Sequence, residues 1–141
     1  MCKMIFHIDV NSAFLSWEAA SRIQHGEKRD IREIPCVVGG DSTSRRGIVL
    51  AKSIPAKAYN ISTGESLCAA KRKCPVLEIV PPDYDLYTRS SKALFDMIKT
   101  LAPSVQVYSI DECFADLSTL PGIGENFMYI AKNLKDRIKN E

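Results

Sequence analysis

Two adjacent carboxylates, Asp111 and Glu112, interrupt an otherwise β-prone stretch near residue 110. The flanking segments 105–108 and 113–117 are apolar and aromatic, so the pattern predicts a β-hairpin with both acids at its bend. Neighbouring side chains on a regular strand point to opposite faces, whereas a bend lets both reach one edge of a sheet. Taken alone, the stretch is also compatible with an ordinary solvated turn.

A third carboxylate, Asp9, ends the first apolar run of the chain, residues 4–8. If that run is a strand beside the hairpin, Asp9, Asp111 and Glu112 converge at one edge of a sheet. Like charges held close together are unfavourable unless cations compensate them, and divalent ions with oxygen ligands are the usual compensation. Three converging carboxylates therefore predict a two-metal centre for in-line displacement at phosphorus.

The remaining periodicities predict the elements that could position these acids. The predicted strands cover residues 4–9, 35–39, 47–52 and 76–80, and the predicted helices begin at Asn11 or Ser12, after Ser53, near Leu67, at Leu86 (to residue 101) and near Phe127. With residues 24–76 set aside as an inserted lobe, the order β-α-β-α-β-β-α predicts an α+β sheet with helices on one face.

Three stretches resemble, in the same order and spacing, motifs of the Y-family (translesion, UmuC/DinB-like) DNA polymerases: FHIDVNSAF, IVLAKSIPAKAYNISTGE and SIDECFADLS. The resemblance implies a ferredoxin-like polymerase palm over residues 1–23 and 77–141, truncated at its C-terminal end, with a small fingers insertion over residues 24–76. It also implies that Asp9, Asp111 and Glu112 are catalytic. Together with the main-chain carbonyl of Val10, they would hold two Mg²⁺ ions, for which Mn²⁺ could substitute.

The same resemblance implies substrate contacts at Phe14, Ile54 and Lys57. Phe14 matches the steric gate, an aromatic ring under the sugar that leaves no room for a ribose hydroxyl; by sequence alone it could equally be a core aromatic. Ile54 and Lys57 stand where the family has a Tyr and an Arg that hold the triphosphate. Lysine keeps the charge without the bidentate fork, and isoleucine has no donor. Asn60 stands where the family often has glycine.

Three further motifs have simpler interpretations. The basic residues of the inserted lobe predict a solvated face; they are Arg45, Arg46, Lys52 and Lys57. The run at residues 71–73 is interpreted in the same way, with contact to a DNA backbone as the alternative. Gly39-Gly40-Asp41 resembles the GG-acid signature of nucleotide cyclases and is interpreted as a turn.

Composition indicates a soluble globular chain of 141 residues, 45% hydrophobic and 26% charged. No apolar run approaches the roughly 20 residues of a membrane span, and no signal-peptide pattern is visible, so a cytoplasmic protein is expected. The five cysteines form no metal-binding pattern and predict reduced, packed thiols. A net charge of +2 is low for a stand-alone nucleic-acid binder. The resemblance explains this, because the family's thumb and C-terminal DNA-gripping domain would follow residue 141.

Three functions are therefore considered. The first is the catalytic portion of a translesion polymerase, which adds a deoxynucleotide to a primer 3′ end in DNA repair and the SOS response. Its partners would be primer-template DNA, a deoxynucleoside triphosphate and a sliding clamp bound through the region after residue 141. The fragment alone is expected to be inactive. The second is a truncated, inactive relative that binds DNA or repair proteins, and the third is a cyclase-like enzyme.

Overall fold

The computed structural model describes residues 3–40 and 47–140. Its strands there are β1 (Ile5–Asp9), β2 (Cys36–Gly39), β3 (Val49–Lys52), β4 (Glu78–Val80), β5 (Ser104–Val107) and β6 (Glu112–Asp116). Its helices are α1 (Ala13–Gln24), α2 (Ile54–Lys57), α3 (Leu67–Lys73), α4 (Tyr84–Lys99) and α5 (Ile123–Asn140), with a 3₁₀ turn at Ile31–Glu33. The chain divides into two compact units: unit 1 is Met1–Val10 with Thr88–Glu141, and unit 2 is Asn11–Tyr87.

Unit 1 is built on an antiparallel sheet with the strand order β1-β6-β5. The predicted hairpin is confirmed, because β5 and β6 pair antiparallel around a bend at residues 108–111. Asp111 lies in this bend, but Glu112 is the first residue of β6, so the prediction that both acids lie at the bend is wrong for Glu112. Along β6, Cys113 and Ala115 are fully buried, while Phe114 between them is 36% exposed. One face of this sheet is therefore covered and the other is open, as the alternation of a half-buried strand requires.

Helix α4 is confirmed. Its apolar pattern predicts a buried stripe at Leu86, Ser90, Ala93, Leu94, Met97, Ile98 and Leu101. Leu94 and Ile98 are buried as predicted, but in the first half of the helix the buried positions lie one residue further along. Tyr87, Ser91, Leu94 and Ile98 are buried, whereas Ala93 is exposed. The helix therefore buries a tyrosine and a serine that the apolar pattern placed outside the stripe. Both have a hydroxyl that finds a hydrogen-bond partner, which makes their burial favourable.

Unit 2 contains the second sheet, in the order β3-β2-β4. Strand β2 is buried along its whole length because it is central, antiparallel to β3 and parallel to β4. Its core includes residues from β2, β3, the short helices and the segments that follow these helices, namely Val37, Val49, Ala56, Ile61, Leu67, Ala70, Cys74 and Leu77.

The units divide the chain at other positions than the expected boundaries of 23/24 and 76/77. Strand β4 was predicted to join the first sheet, but it pairs with β2 in the second. Helix α1 contacts β2 and β3.

The first turn of α1 also differs from the expectation, because Ser12 has a left-handed backbone conformation (φ 47°) and its side chain does not cap the helix. The Ser12 hydroxyl instead donates to the carbonyl of Lys52 on β3, 3.0 Å away.

The remaining composition-based expectations concern the cysteines and the membrane. Cys36, Cys74 and Cys113 are buried free thiols and Cys68 is exposed; burial raises the pKa of Cys36 to about 12. Within the described residues, no helix is both long enough and apolar enough to cross a membrane.

Ser53 is a buried junction, and its replacement by alanine is expected to destabilise unit 2. Its hydroxyl accepts hydrogen bonds from the amides of Cys36 and Ala56, each at 3.1 Å, and donates to the carbonyl of Ile34 at 2.7 Å. Alanine leaves three main-chain groups without this partner, at a cost of about 2–4 kcal/mol.

The check is a urea titration followed by Trp17 fluorescence, with Ser66→Ala as the matched control. Ser66 caps α3 through a single bond to the amide of Ala69, so its loss is expected to cost only about 1 kcal/mol. Equal destabilisation by the two variants would contradict the junction role of Ser53.

Candidate active site

The register of β1 and β6 brings the three predicted carboxylates to one end of a ladder. Asp9 is directly opposite Glu112, the last paired position on β1 and the first residue of β6. One step beyond, the amide of Val10 donates to the carbonyl of Asp111 at 3.1 Å. The acids are thus held by backbone pairing, in which facing Cα atoms are only about 5 Å apart.

Two serines that the sequence analysis did not single out hold the bend. The Ser109 hydroxyl lies 2.8 Å from Oδ1 of Asp111 and 3.1 Å from Oε2 of Glu112. The buried Ser91 on α4 donates to the carbonyl of Ile110. The available signal for Ser109 was its place two residues before the acid pair, since serine hydroxyls commonly bond nearby groups in turns.

His7 is a third residue at the site that sequence reasoning missed. Its Nε2 lies 3.1 Å from Oε1 of Glu112, and its ring stacks on Phe114 with centroids 4.6 Å apart. His7 and Phe114 are cross-strand partners on the open face of the sheet. The contact with the imidazole therefore holds the Glu112 side chain against the open face of the sheet.

The electrostatics of Asp9 show that the acids interact. Partial desolvation and then the charges of Asp111 and Glu112 raise the pKa of Asp9 above its ordinary value of 3.8, and His7 acts in the opposite direction. A carboxyl group with a raised folded-state pKa stabilises the fold at low pH. That contribution is lost as the pH rises from the ordinary value through the raised one. At neutral pH ionised Asp9 therefore opposes folding.

The donors suit a hard divalent cation in type and position, although their side chains are not arranged as a closed ligand set. Across residues 3–40 and 47–140, no group of three or more His, Cys, Asp or Glu side chains has the geometry of a metal site. Glu112 is instead engaged by His7 and Ser109. Carboxylate oxygens are nevertheless the ligand type that Mg²⁺ prefers.

Phe14, the predicted steric gate, lies in unit 2 within a group of four aromatic rings. Its ring stacks on Tyr87 with centroids 4.4 Å apart and an interplanar angle of 8°. Trp17 is tilted against it at 6.4 Å and Tyr84 meets it edge-on at 6.2 Å. Phe14 itself is only partly buried.

Ile54 and Lys57 are three residues apart on the single turn of α2, and both are exposed; Ile54 is 79% exposed. Both side chains are thus available to a ligand, while Ala56 between them is buried. Asn60 has a positive φ of 55°, which asparagine tolerates better than most residues. Glycine would also adopt this conformation without strain.

Several of the basic residues form hydrogen bonds or ion pairs with the protein itself, which the solvated interpretation did not include. Lys52 donates to the carbonyl of Ile61 at 2.8 Å, and Lys71 donates to that of Leu77. Lys73 pairs with Glu65 at 2.6 Å. Residues 71–73 are all exposed, as the solvated interpretation expects, and both lysines also donate hydrogen bonds to oxygen atoms near α3. Arg45 and Arg46 lie outside the described residues.

Gly39 has a packing role. A Cβ there would approach Cδ2 of Leu67 to 2.5 Å and the carbonyl of Ile48 to 3.0 Å, at a bulge in the β2–β3 pairing. Only glycine fits such an approach without displacement of neighbours. Asp41, the acid of the cyclase-like motif, lies outside the described residues.

Comparison with known proteins identifies the family. The profile of the impB/mucB/samB family matches residues 8–141. The chain belongs to this family. It is 50% identical over 141 residues to DNA polymerase IV of Clostridium acetobutylicum, and 36% identical over 141 residues to that of Acetivibrio thermocellus. In each case the whole chain is matched but only 35% and 34% of the relative, so the chain spans about a third of their length.

The solved structures agree at the level of the fold. A chimeric Y-family DNA polymerase has a TM-score of 0.83 at 23% identity, covering 97% of this chain and 39% of the other. DinB from Sulfolobus solfataricus has a TM-score of 0.81 at 24% identity, covering 95% and 38%. The predicted resemblance to Y-family polymerases and the α+β fold class, a polymerase palm with inserted fingers, are confirmed.

Proposed function

We propose that the chain is the N-terminal catalytic portion of a translesion DNA polymerase that transfers deoxynucleotides to a primer 3′ end. The observation that carries the proposal is the β1–β6 register, which places Asp9 opposite Glu112 and next to Asp111 in a chain of this family. Unit 1 would be the palm and unit 2 the fingers.

Asp9, Asp111, Glu112 and the main-chain carbonyl of Val10 would hold two Mg²⁺ ions, with Mn²⁺ as a substitute. When bound, the ions would activate the primer hydroxyl and neutralise charge on the triphosphate. The residues themselves contribute by positioning the ligands. The pairing of β1 with β6 fixes the backbone of the three acids, and Ser91 and Ser109 hold the bend. His7 would release Glu112 when that carboxylate takes up a ligand.

Phe14 would lie under the sugar and exclude the ribose hydroxyl, while Lys57 would contact the triphosphate as a point charge. Ile54 would offer only apolar contact there, because it has no donor. This pair is expected to hold the triphosphate less tightly than an Arg with a Tyr would.

Primer-template DNA and a deoxynucleoside triphosphate are the proposed partners. One structural relative is an insertion ternary complex of Dbh DNA polymerase, which supports this class of substrate. DNA damage tolerance and the SOS response, a sliding clamp bound through the region after residue 141, and a cytoplasmic location complete the proposal.

A metal titration tests the proposal at its centre. At about 10 mM Mg²⁺ and a dissociation constant of about 1 mM, the bound metal would stabilise the chain by about 1.4 kcal/mol. The thermal midpoint is expected to rise with Mg²⁺ in the original chain and not in Asp9→Asn. Without metal at neutral pH, Asp9→Asn is expected to be at least as stable as the original chain, because ionised Asp9 opposes folding.

Scanning calorimetry with and without Mg²⁺ measures both effects, and Asp136→Asn is the control. Asp136 is an exposed acid on α5, so its variant should retain the full response to Mg²⁺. Equal shifts in the original chain and Asp9→Asn would place the bound ion elsewhere. No shift in any variant would favour the inactive binding module. Incubation with GTP alone tests the cyclase-like alternative, since it would yield a cyclic product.

A further inference from the structure

The ring of Tyr87 stacks on the ring of Phe14 and is the more buried of the two. The two rings are nearly parallel, and Tyr87 is completely buried whereas Phe14 is half-buried. Trp17 and Tyr84 pack against Tyr87 as well, at centroid distances of 6.2 and 5.9 Å. A ring held on all sides in this way cannot shift without repacking its neighbours, because protein interiors are close-packed.

Tyr87 is itself anchored by a buried charge. Its hydroxyl donates to Oε1 of Glu18 at 2.8 Å, and Glu18 is only 7% exposed. The other carboxylate oxygen of Glu18 lies 3.8 Å from Nε of Arg22, one helical turn further along α1. Burial raises the pKa of Tyr87, so its hydroxyl remains a donor at neutral pH. Hydrogen bonds to a charged acceptor are among the strong ones.

Phe14 and Glu18 are four residues apart on α1, whereas Tyr87 belongs to α4. One helix therefore supplies both the ring that rests on Tyr87 and the carboxylate that holds Tyr87 in place. The three residues therefore form a closed set of contacts. Phe14 stacks on Tyr87, Tyr87 donates a hydrogen bond to Glu18, and α1 connects Glu18 to Phe14.

We propose that Tyr87 and Glu18 are positioning residues that fix the depth of the Phe14 ring and thereby set discrimination against ribonucleotides. The inference rests on the proposed role of Phe14. If Tyr87 could move, the Phe14 ring would shift toward the position that Tyr87 now occupies, and this shift would leave room for a ribose hydroxyl. The hydrogen bond from Tyr87 to Glu18 prevents that movement.

The first test measures binding of ATP and dATP, each with Mg²⁺, through the fluorescence of Trp17, the single tryptophan of the chain. The readout is the ratio of the two dissociation constants. Tyr87→Leu removes the supporting ring and is expected to lower the preference for dATP about tenfold, and Glu18→Ala is expected to lower it in the same direction. Glu18→Gln retains an acceptor for the tyrosine hydroxyl and should restore the original ratio.

A purely structural role for Tyr87 and Glu18 predicts a different result, since it would weaken both nucleotides equally and leave the ratio unchanged. Phe14→Ala separates the two claims. If Phe14→Ala lowers the preference and Tyr87→Leu does not, the inference about positioning is wrong and the gate assignment holds. If Phe14→Ala itself leaves the ratio unchanged, the proposed role of Phe14 is wrong.

The second test needs no nucleotide. The flip rate of the Phe14 ring is measured by NMR on chain labelled with ¹³C at phenylalanine, in the original chain, Tyr87→Phe, Glu18→Ala and Glu18→Gln. The ring is expected to flip faster in Tyr87→Phe and Glu18→Ala, and at nearly the original rate in Glu18→Gln. Unchanged flipping in Tyr87→Phe, with folding verified by circular dichroism, would overturn the proposal.

Discussion

Replacing Phe14 with alanine is expected to increase ribonucleotide incorporation, relative to deoxynucleotide incorporation, by about 10²-fold. An apolar surface rejects an added hydroxyl by roughly this factor, which corresponds to about 2.8 kcal/mol of discrimination. The ring of Phe14 stacks on Tyr87 with centroids 4.4 Å apart, and we expect removal of the Phe14 ring to abolish the proposed exclusion.

The measurement uses a hybrid enzyme in which this chain replaces the matching segment of the Clostridium acetobutylicum polymerase, to which it is 50% identical over 141 residues. Single-nucleotide incorporation of dATP and ATP opposite thymine gives the ratio of kcat/KM. Tyr129→Phe is the control, because Tyr129 is an exposed aromatic residue on α5 and lies outside the group of rings around Phe14. A ratio unchanged in Phe14→Ala would show that this ring only fills the core.

Residues 1–141 by themselves are expected to show no primer extension, whereas the hybrid enzyme extends. The chain has a net charge of only +2, and Lys52, Lys71 and Lys73 donate hydrogen bonds to the protein's own oxygens. The electrostatic attraction for phosphates is therefore expected to be weak. The affinity for DNA should be in the range of non-specific binding, roughly 10⁻⁴ M or weaker, and should fall steeply with salt.

Primer extension with Mg²⁺ and all four deoxynucleotides, at high protein concentration and at two salt concentrations, checks this expectation. Asp111→Asn in the hybrid serves as the matched negative control, since it removes one proposed metal ligand without adding a charge. Robust extension by residues 1–141 would mean that the DNA is held by surfaces within the two units.

The local elements and the composition of the acid site were predictable from the sequence. The acid pair between two β-prone segments predicted the hairpin, and the acid at the end of the first apolar run predicted the partner strand. These features are visible in a sequence because period-two alternation and turn residues act over a few neighbouring positions. The first half of the buried stripe of α4 was predicted one residue too early, because hydropathy alone counts Tyr87 and Ser91 as poor core residues.

Only the tertiary structure decided which sheet each element joins. Strand β4 pairs in parallel with β2, about forty residues earlier, and α1 packs beside β2 and β3. Periodicity shows which face of an element is buried, but it does not show which distant surface covers that face. The contacts of Ser12 with Lys52 and of Glu18 with Tyr87 have the same origin. A buried polar side chain takes whatever partner the packed fold brings within about 3 Å, and that partner can be dozens of residues away in the chain.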